Sequence, residues 1–124
     1  LSLLSNKVYT IEIVKSLAVQ AKKVLQELEI HNVYVRWGDG YKGWPTEAPF
    51  DCIIVTAAPD TIPEALIKQL KTGGKLVIPV GKYWQELKVI SKTSDSNINE
   101  KTIIPVRFVP MVHPNNPFSD EDLN

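Results

Sequence analysis

Cysteine is almost absent from this chain, with Cys52 the single example in 124 residues. An internal disulfide is thereby excluded, and a reducing compartment is the natural setting. Charge of one sign is lacking too. Fourteen Lys and Arg stand against fourteen Asp and Glu, which leaves no electrostatic footprint for nucleic acid or an anionic membrane surface. No apolar run approaches the roughly 20 residues that span a bilayer, and the opening "LSLLSNK" has no long apolar region of the signal-peptide kind. A cytoplasmic protein without nucleic-acid or membrane partners is expected. The first residue is not Met, so the chain is expected to begin inside a longer gene product. Catalytic machinery is sparse as well. His31 and His113 have no Cys or His partner at metal-ligand spacing, so no metal is expected and both are expected to be solvated. There is no Ser-His pair and no convincing general base. Cys52 sits within an apolar run, where a small core residue is a better reading than a nucleophile.

What is present is ordinary globular composition, 44% hydrophobic and 23% charged, enough for one modest core. "KVYTIEI" (7–13) is rich in β-branched residues and predicts a buried strand. Val14, Leu17, Ala18, Ala21, Val24, Leu25 and Leu28 follow at three- and four-residue spacing, with Lys15, Lys22, Gln26 and Glu29 off the stripe. That pattern predicts an amphipathic helix. "HNVYVRW" (31–37) predicts a second strand, closed by Gly38 and Gly40. "FDCIIVT" (50–56) predicts a third, of the continuous apolar type that a parallel sheet buries on both faces. Pro63 suits the first turn of a helix running to about Leu70 and closed by "TGG", and "KLVIPVG" (75–81) predicts a fourth strand.

Strands alternating with helices imply right-handed crossovers and a parallel, doubly wound sheet. The pattern then changes. "QELKVISKT" and "KTIIPVRFVPM" are separated only by "SDSNINE", which predicts a terminal antiparallel hairpin. No internal repeat is visible. The last stretch, 113–124, is polar, acidic and broken by proline, and is expected to be a disordered tail.

In an open α/β sheet, ligands bind beyond the carboxyl ends of the strands. Glu12 lies at the end of the first strand, where a carboxylate can accept hydrogen bonds from a ribose diol, or can simply begin a helix. Asp39, between two glycines after the second strand, can accept from an exocyclic amine, or the "GDG" can be only a turn. Thr56, Ala57 and Ala58, after the third, are small enough to let a ligand approach the backbone. Each has a bland reading, but three coincident strand ends favour a nucleotide-type cofactor. Trp37, Tyr41 and Trp44 could line a pocket, although aromatics beside a strand end more often pack under a loop.

The segments "VYTIE", "HNVYVRWGDGYKGWP", "APFDCIIVTAAPDTIPEALIKQLKTGGKLVIPVG", "QELKVI" and "PVRFVPM" occur here in order. Over about Lys7 to Val112, the chain resembles the carboxyl-terminal part of the protein-L-isoaspartate (D-aspartate) O-methyltransferase family. The resemblance implies an α/β, Rossmann-like S-adenosylmethionine-dependent methyltransferase sheet, mostly parallel with a terminal antiparallel hairpin, its first strand absent from this chain. It divides the chain into a partial methyltransferase domain, 1–112, and the tail, 113–124. It implies methyl transfer from S-adenosyl-L-methionine to L-isoaspartyl and D-aspartyl residues of damaged proteins, with S-adenosyl-L-homocysteine as product. The partners would be isoaspartyl-containing proteins and peptides, with oligomerisation left open. Glu12 would hold the cofactor's ribose hydroxyls, and Asp39 and Gly40 would meet the adenine. Thr56 would border the cofactor at the transfer site, Ala57 and Ala58 the substrate, and Pro105 to Met111 would help wall the peptide groove. The family's serine and glycine-rich loop lie upstream of "VYTIE", so no catalytic residue is assigned in this chain. Two other readings compete: a nicotinamide-dependent oxidoreductase, since Glu12 also suits a dinucleotide ribose, and a non-catalytic fragment or peptide-binding module.

Overall fold

The computed structural model describes residues 4–113. Its elements alternate as expected: β1 (Val8–Glu12), α1 (Lys15–Glu27), β2 (Val33–Trp37), β3 (Phe50–Ile54), α2 (Glu64–Lys68), β4 (Leu70–Val80), β5 (Gln85–Ser94) and β6 (Asn97–Val106). They group into two compact units, one running through Gly40 with His113 added, the other Tyr41–Val112.

In the first unit β1 and β2 pair in parallel, from Val8↔Val33 to Glu12↔Trp37. The α1 crossover between them makes one βαβ unit. The paired Tyr9 and Tyr34 rings stack with centroids 5.2 Å apart, the type of cross-strand contact that stabilises a pleated surface. The helix buries less than its stripe predicts. Ala18 is buried, but Val14, Leu17, Val24 and Leu28 remain exposed. Two strands are too narrow to cover the stripe, and an apolar recess lined by Leu17, Ala21, Val24 and Leu25 stays open between helix and sheet.

The second unit is a four-stranded sheet in the order β3-β4-β5-β6. β3 and β4 are parallel, and β4-β5 and β5-β6 are antiparallel. Its core joins Leu66 of α2 to Leu70, Leu76, Ile78 and Ile90 of the sheet, with Ile53, Val55, Ile62, Ile67 and Val80 packed around them. Leu76, Ile78 and Ile90 are completely buried, the outcome expected when period-2 alternation turns one sheet face inward.

The α/β class and the change from parallel to antiparallel pairing are as the sequence implied. Three local expectations are corrected. The strand containing "KLVIPV" begins earlier, at Leu70, so "TGG" lies within β4 instead of closing a helix. The sheet accommodates it by a register shift: Phe50 faces Leu70, but Cys52 faces Lys75. Glycine permits that bulge, and Gly73 has φ +86°. Helix α2 is correspondingly short, with Pro63 at its N-cap. Finally, β3 is not buried on both faces. Cys52 is exposed and Ile54 is half-exposed, because among the described residues β3 pairs with β4 alone.

Candidate functional site

Parallel pairing of β1 and β2 brings their carboxyl ends level, and the Gly38 N–H donates to the Glu12 carbonyl at 3.0 Å. Glu12 and the Gly38–Gly40 turn therefore belong to one end of one small sheet. Glu12 is partly buried, and its carboxylate accepts from the Val14 N–H at 3.2 Å, at the head of α1. A carboxylate offers about four lone-pair positions, so this contact with the Val14 N–H leaves the group capacity for further donors. The Asp39 side chain is 5% exposed and accepts from or shares a proton with His113 Nδ1 at 3.1 Å. His113, expected to be solvated, is thus tied to a candidate site residue 74 positions away. The rest of the expected tail, 114–124, lies outside the described residues. Gly40 is partly buried and opens a short 3-10 turn, Gly40–Lys42.

Trp37 is held by its indole N–H, which donates to the Ile13 carbonyl at 2.9 Å, and Lys15 Nζ lies 5.1 Å from its ring centroid. The ring packs over the β1–α1 connection, the structural one of the two readings.

Thr56, Ala57 and Ala58 follow β3 in the second unit. Thr56 is exposed, Ala57 is partly buried and Ala58 is 2% exposed. The Ala58 N–H donates to the Val109 carbonyl at 2.8 Å, and the Ala58 carbonyl accepts from the Met111 N–H at 2.9 Å. The segment Phe108–Met111 therefore forms a wall beside these small residues. Tyr41 secures it, its hydroxyl donating to the Met111 carbonyl at 3.0 Å.

Two buried glutamines that sequence pattern did not single out complete this framework. Gln85 Nε2 donates to the Phe108 carbonyl at 3.0 Å and its Oε1 accepts from the Phe108 N–H at 2.6 Å. Gln69 does the same for the "YKGW" turn: Nε2 donates to the Lys42 carbonyl at 2.9 Å, and Oε1 accepts from the Trp44 N–H at 2.8 Å. Gly43 between them has φ +61°, and a Cβ there would collide with the Gln69 amide. Glycine is required on both counts.

Among the described residues no cluster of three His, Cys, Asp or Glu could hold a metal, and no helix is long and apolar enough to cross a membrane. The Glu12 and Asp39 carboxylates are hydrogen-bond acceptors, groups that pair with hydroxyl and amine donors. An α/β chain with acceptor carboxylates at adjacent parallel strand ends, small residues after β3 and an antiparallel finish defines the class of Rossmann-like methyltransferases. The more particular assignment comes from the family profile described as Protein-L-isoaspartate(D-aspartate) O-methyltransferase, which matches residues 3–116; this chain belongs to that family. The match extends beyond Val112, where the motif resemblance stopped.

A protein-L-isoaspartate O-methyltransferase of Colwellia psychrerythraea is 49% identical over 112 residues, covering 90% of this chain and 51% of that protein. One from Erwinia tasmaniensis is 51% identical over 109 residues, covering 88% of this chain and 52% of its own length. A solved protein-L-isoaspartate O-methyltransferase superposes with TM-score 0.81 at 30% identity, over 86% of this chain and 34% of that one. The structure of a Plasmodium falciparum relative in complex with S-adenosyl-L-homocysteine superposes with TM-score 0.74 at 28% identity, over 86% of this chain and 52% of that one. The chain spans about half the length of the curated relatives it matches.

Proposed function

We propose that the full-length gene product carrying this chain transfers the methyl group of S-adenosyl-L-methionine to the free carboxylate of L-isoaspartyl, and D-aspartyl, residues in damaged proteins. The observation that carries this reading is the family match across residues 3–116. The site chemistry supports it. Glu12, at the end of β1, has the acceptors for the cofactor's ribose hydroxyls. Asp39, buried between Gly38 and Gly40, has an acceptor for the adenine amine, and Gly40 lets the backbone approach the ring. Thr56 borders the cofactor near the transfer point, and Ala57 and Ala58 border the substrate. Residues 1–112 form part of the methyltransferase domain in this reading, and 113–124 a tail.

The absence of a strong base is what this reaction permits. A carboxylate is already a nucleophile at neutral pH, and the sulfonium cofactor supplies an activated methyl group. One C–O bond forms as the S–CH3 bond breaks, the electron pair stays on sulfur, and no proton moves. The protein's task is alignment and exclusion of water. Small side chains beside a hydrogen-bonded backbone wall serve that task. The natural substrates are proteins and peptides bearing isoaspartate, and the single cysteine suits action in a reducing compartment such as the cytoplasm. No finding favours the nicotinamide-dependent reading.

The test is a radiomethyl assay on the full-length gene product with paired peptides that differ only in an L-isoaspartyl or a normal aspartyl residue. Labelling of the isoaspartyl peptide alone is expected. Equal labelling of both would sink the proposal.

A further inference from the structure

The Asp39–His113 pair is explained by none of the roles assigned so far. Asp39 is nearly inaccessible, its side chain 5% exposed, whereas the His113 side chain is 66% exposed. The imidazole therefore lies on the solvent side of a buried carboxylate, with Nδ1 3.1 Å from Oδ2. A polar partner restrains the χ2 torsion of a buried acceptor, and a carboxylate accepts about four hydrogen bonds. The imidazole contact thus orients the group without exhausting it.

We propose that His113 is a positioning residue for Asp39: its Nδ1–H fixes the carboxylate in the orientation that receives the exocyclic amine of an adenine, and so sharpens discrimination for that base. The inference rests on the reading of Asp39 as the adenine acceptor. The chemistry is directional. The Nδ1–H donates to Asp39 Oδ2, and the carboxylate, largely shielded from competing water, accepts from the ligand amine. A base carrying a carbonyl in place of the amine would set oxygen against oxygen and be rejected, as a buried polar group left without its partner is costly. A loosely held carboxylate could rotate away from such a base and would reject it less well.

The experiment measures affinity of the full-length gene product for S-adenosylhomocysteine and for S-inosylhomocysteine, its deaminated counterpart, by titration calorimetry. His113→Ala should weaken S-adenosylhomocysteine by about fivefold, the scale of one ordinary hydrogen bond, and reduce the preference over the inosyl ligand by a similar factor. His113→Asn should stay within about twofold of the parent protein, because Asn Nδ2 stands where His Nδ1 stands, two bonds beyond Cβ. An equal loss for both ligands in His113→Ala would reveal a merely structural residue and overturn the inference, as would unchanged affinity for S-adenosylhomocysteine. Asp39→Asn separates the two levels. If it weakens S-adenosylhomocysteine while His113→Ala does not, only the inference falls. If Asp39→Asn binds both ligands like the parent protein, the reading of Asp39 falls and the inference with it.

Discussion

Glu12 and Asp39 illustrate how two carboxylates at one sheet end come to differ. Glu12 is partly buried and touches the head of α1 through the Val14 N–H, whereas Asp39 is buried against His113. If Glu12 accepts two ribose hydroxyls, each charge-assisted bond is worth roughly 1.5–3 kcal/mol. Glu12→Ala should therefore weaken S-adenosylhomocysteine binding more than Asp39→Asn, which keeps an acceptor. Calorimetric titration of the full-length variants checks the order, and the reverse order would mean that the roles are misplaced. Gly43 is the other position where one residue decides a local structure. Its φ of +61° and the Gln69 amide packed against it leave no room for a side chain. Gly43→Ala and Gln69→Leu should each lower stability by about 1–3 kcal/mol, the cost of strained backbone or of orphaned buried groups. Because both break the same bracket, the double variant should cost less than the sum. Urea denaturation of the two single variants and the pair reads this directly, and strict additivity would show that the bracket is not a unit.

At the scale of elements, α2 is too short to be stable by itself and is held by its neighbours. Leu66 enters the core, and Lys92 of β5 reaches the helix's carboxyl end. Its ammonium donates to the carbonyls of Ile67 at 3.2 Å, in the last turn of α2, and of Leu70 at 3.0 Å, the first residue of β4. The cation also suits the negative end of the helix. Lys92 is 9% exposed, so truncation would strand those acceptors away from water. Lys92→Met should destabilise the full-length protein by about 1–3 kcal/mol, read as a lower urea midpoint at unchanged slope. A midpoint equal to that of the parent would show that the carbonyls find other partners. Lys92 stands two residues after the buried Ile90, so strand alternation alone places it on the inner face. The sequence pattern thus contained the signal that this lysine is not a surface charge, but not the identity of its partners.

For the whole molecule, the controlling feature is the pair of open strand edges. Among the described residues, β1 pairs only with β2 and β3 only with β4. Exposed parallel edges with apolar side chains are templates for further pairing, and Ile54, Leu17 and Val24 add apolar surface. The 124-residue chain by itself should therefore self-associate with rising concentration, bind S-adenosylhomocysteine poorly and methylate nothing. Sedimentation, near-ultraviolet circular dichroism and cofactor titration test this together. A monomer that unfolds cooperatively and binds the ligand at micromolar concentration would overturn it.

Element types, their order and the switch to antiparallel pairing were all legible in the sequence, because periods of 3.6 and 2 are local properties that survive without knowledge of neighbours. So were the candidate strand ends, from Glu12, the "GDG" turn and the small residues Thr56 to Ala58. Tertiary structure alone decided the rest. Cys52 reads as core in its apolar run yet is exposed, since burial of a strand depends on what pairs with its edge. The start of β4 at Leu70 was hidden because propensity treats "TGG" as a breaker, whereas the neighbouring strand tolerates a glycine bulge. The contacts of His113 with Asp39, Gln85 with Phe108 and Lys92 with Ile67 of α2 join residues more than 20 positions apart. A polar side chain carries no local mark of a partner that distant, and only the folded chain brings donor and acceptor within reach.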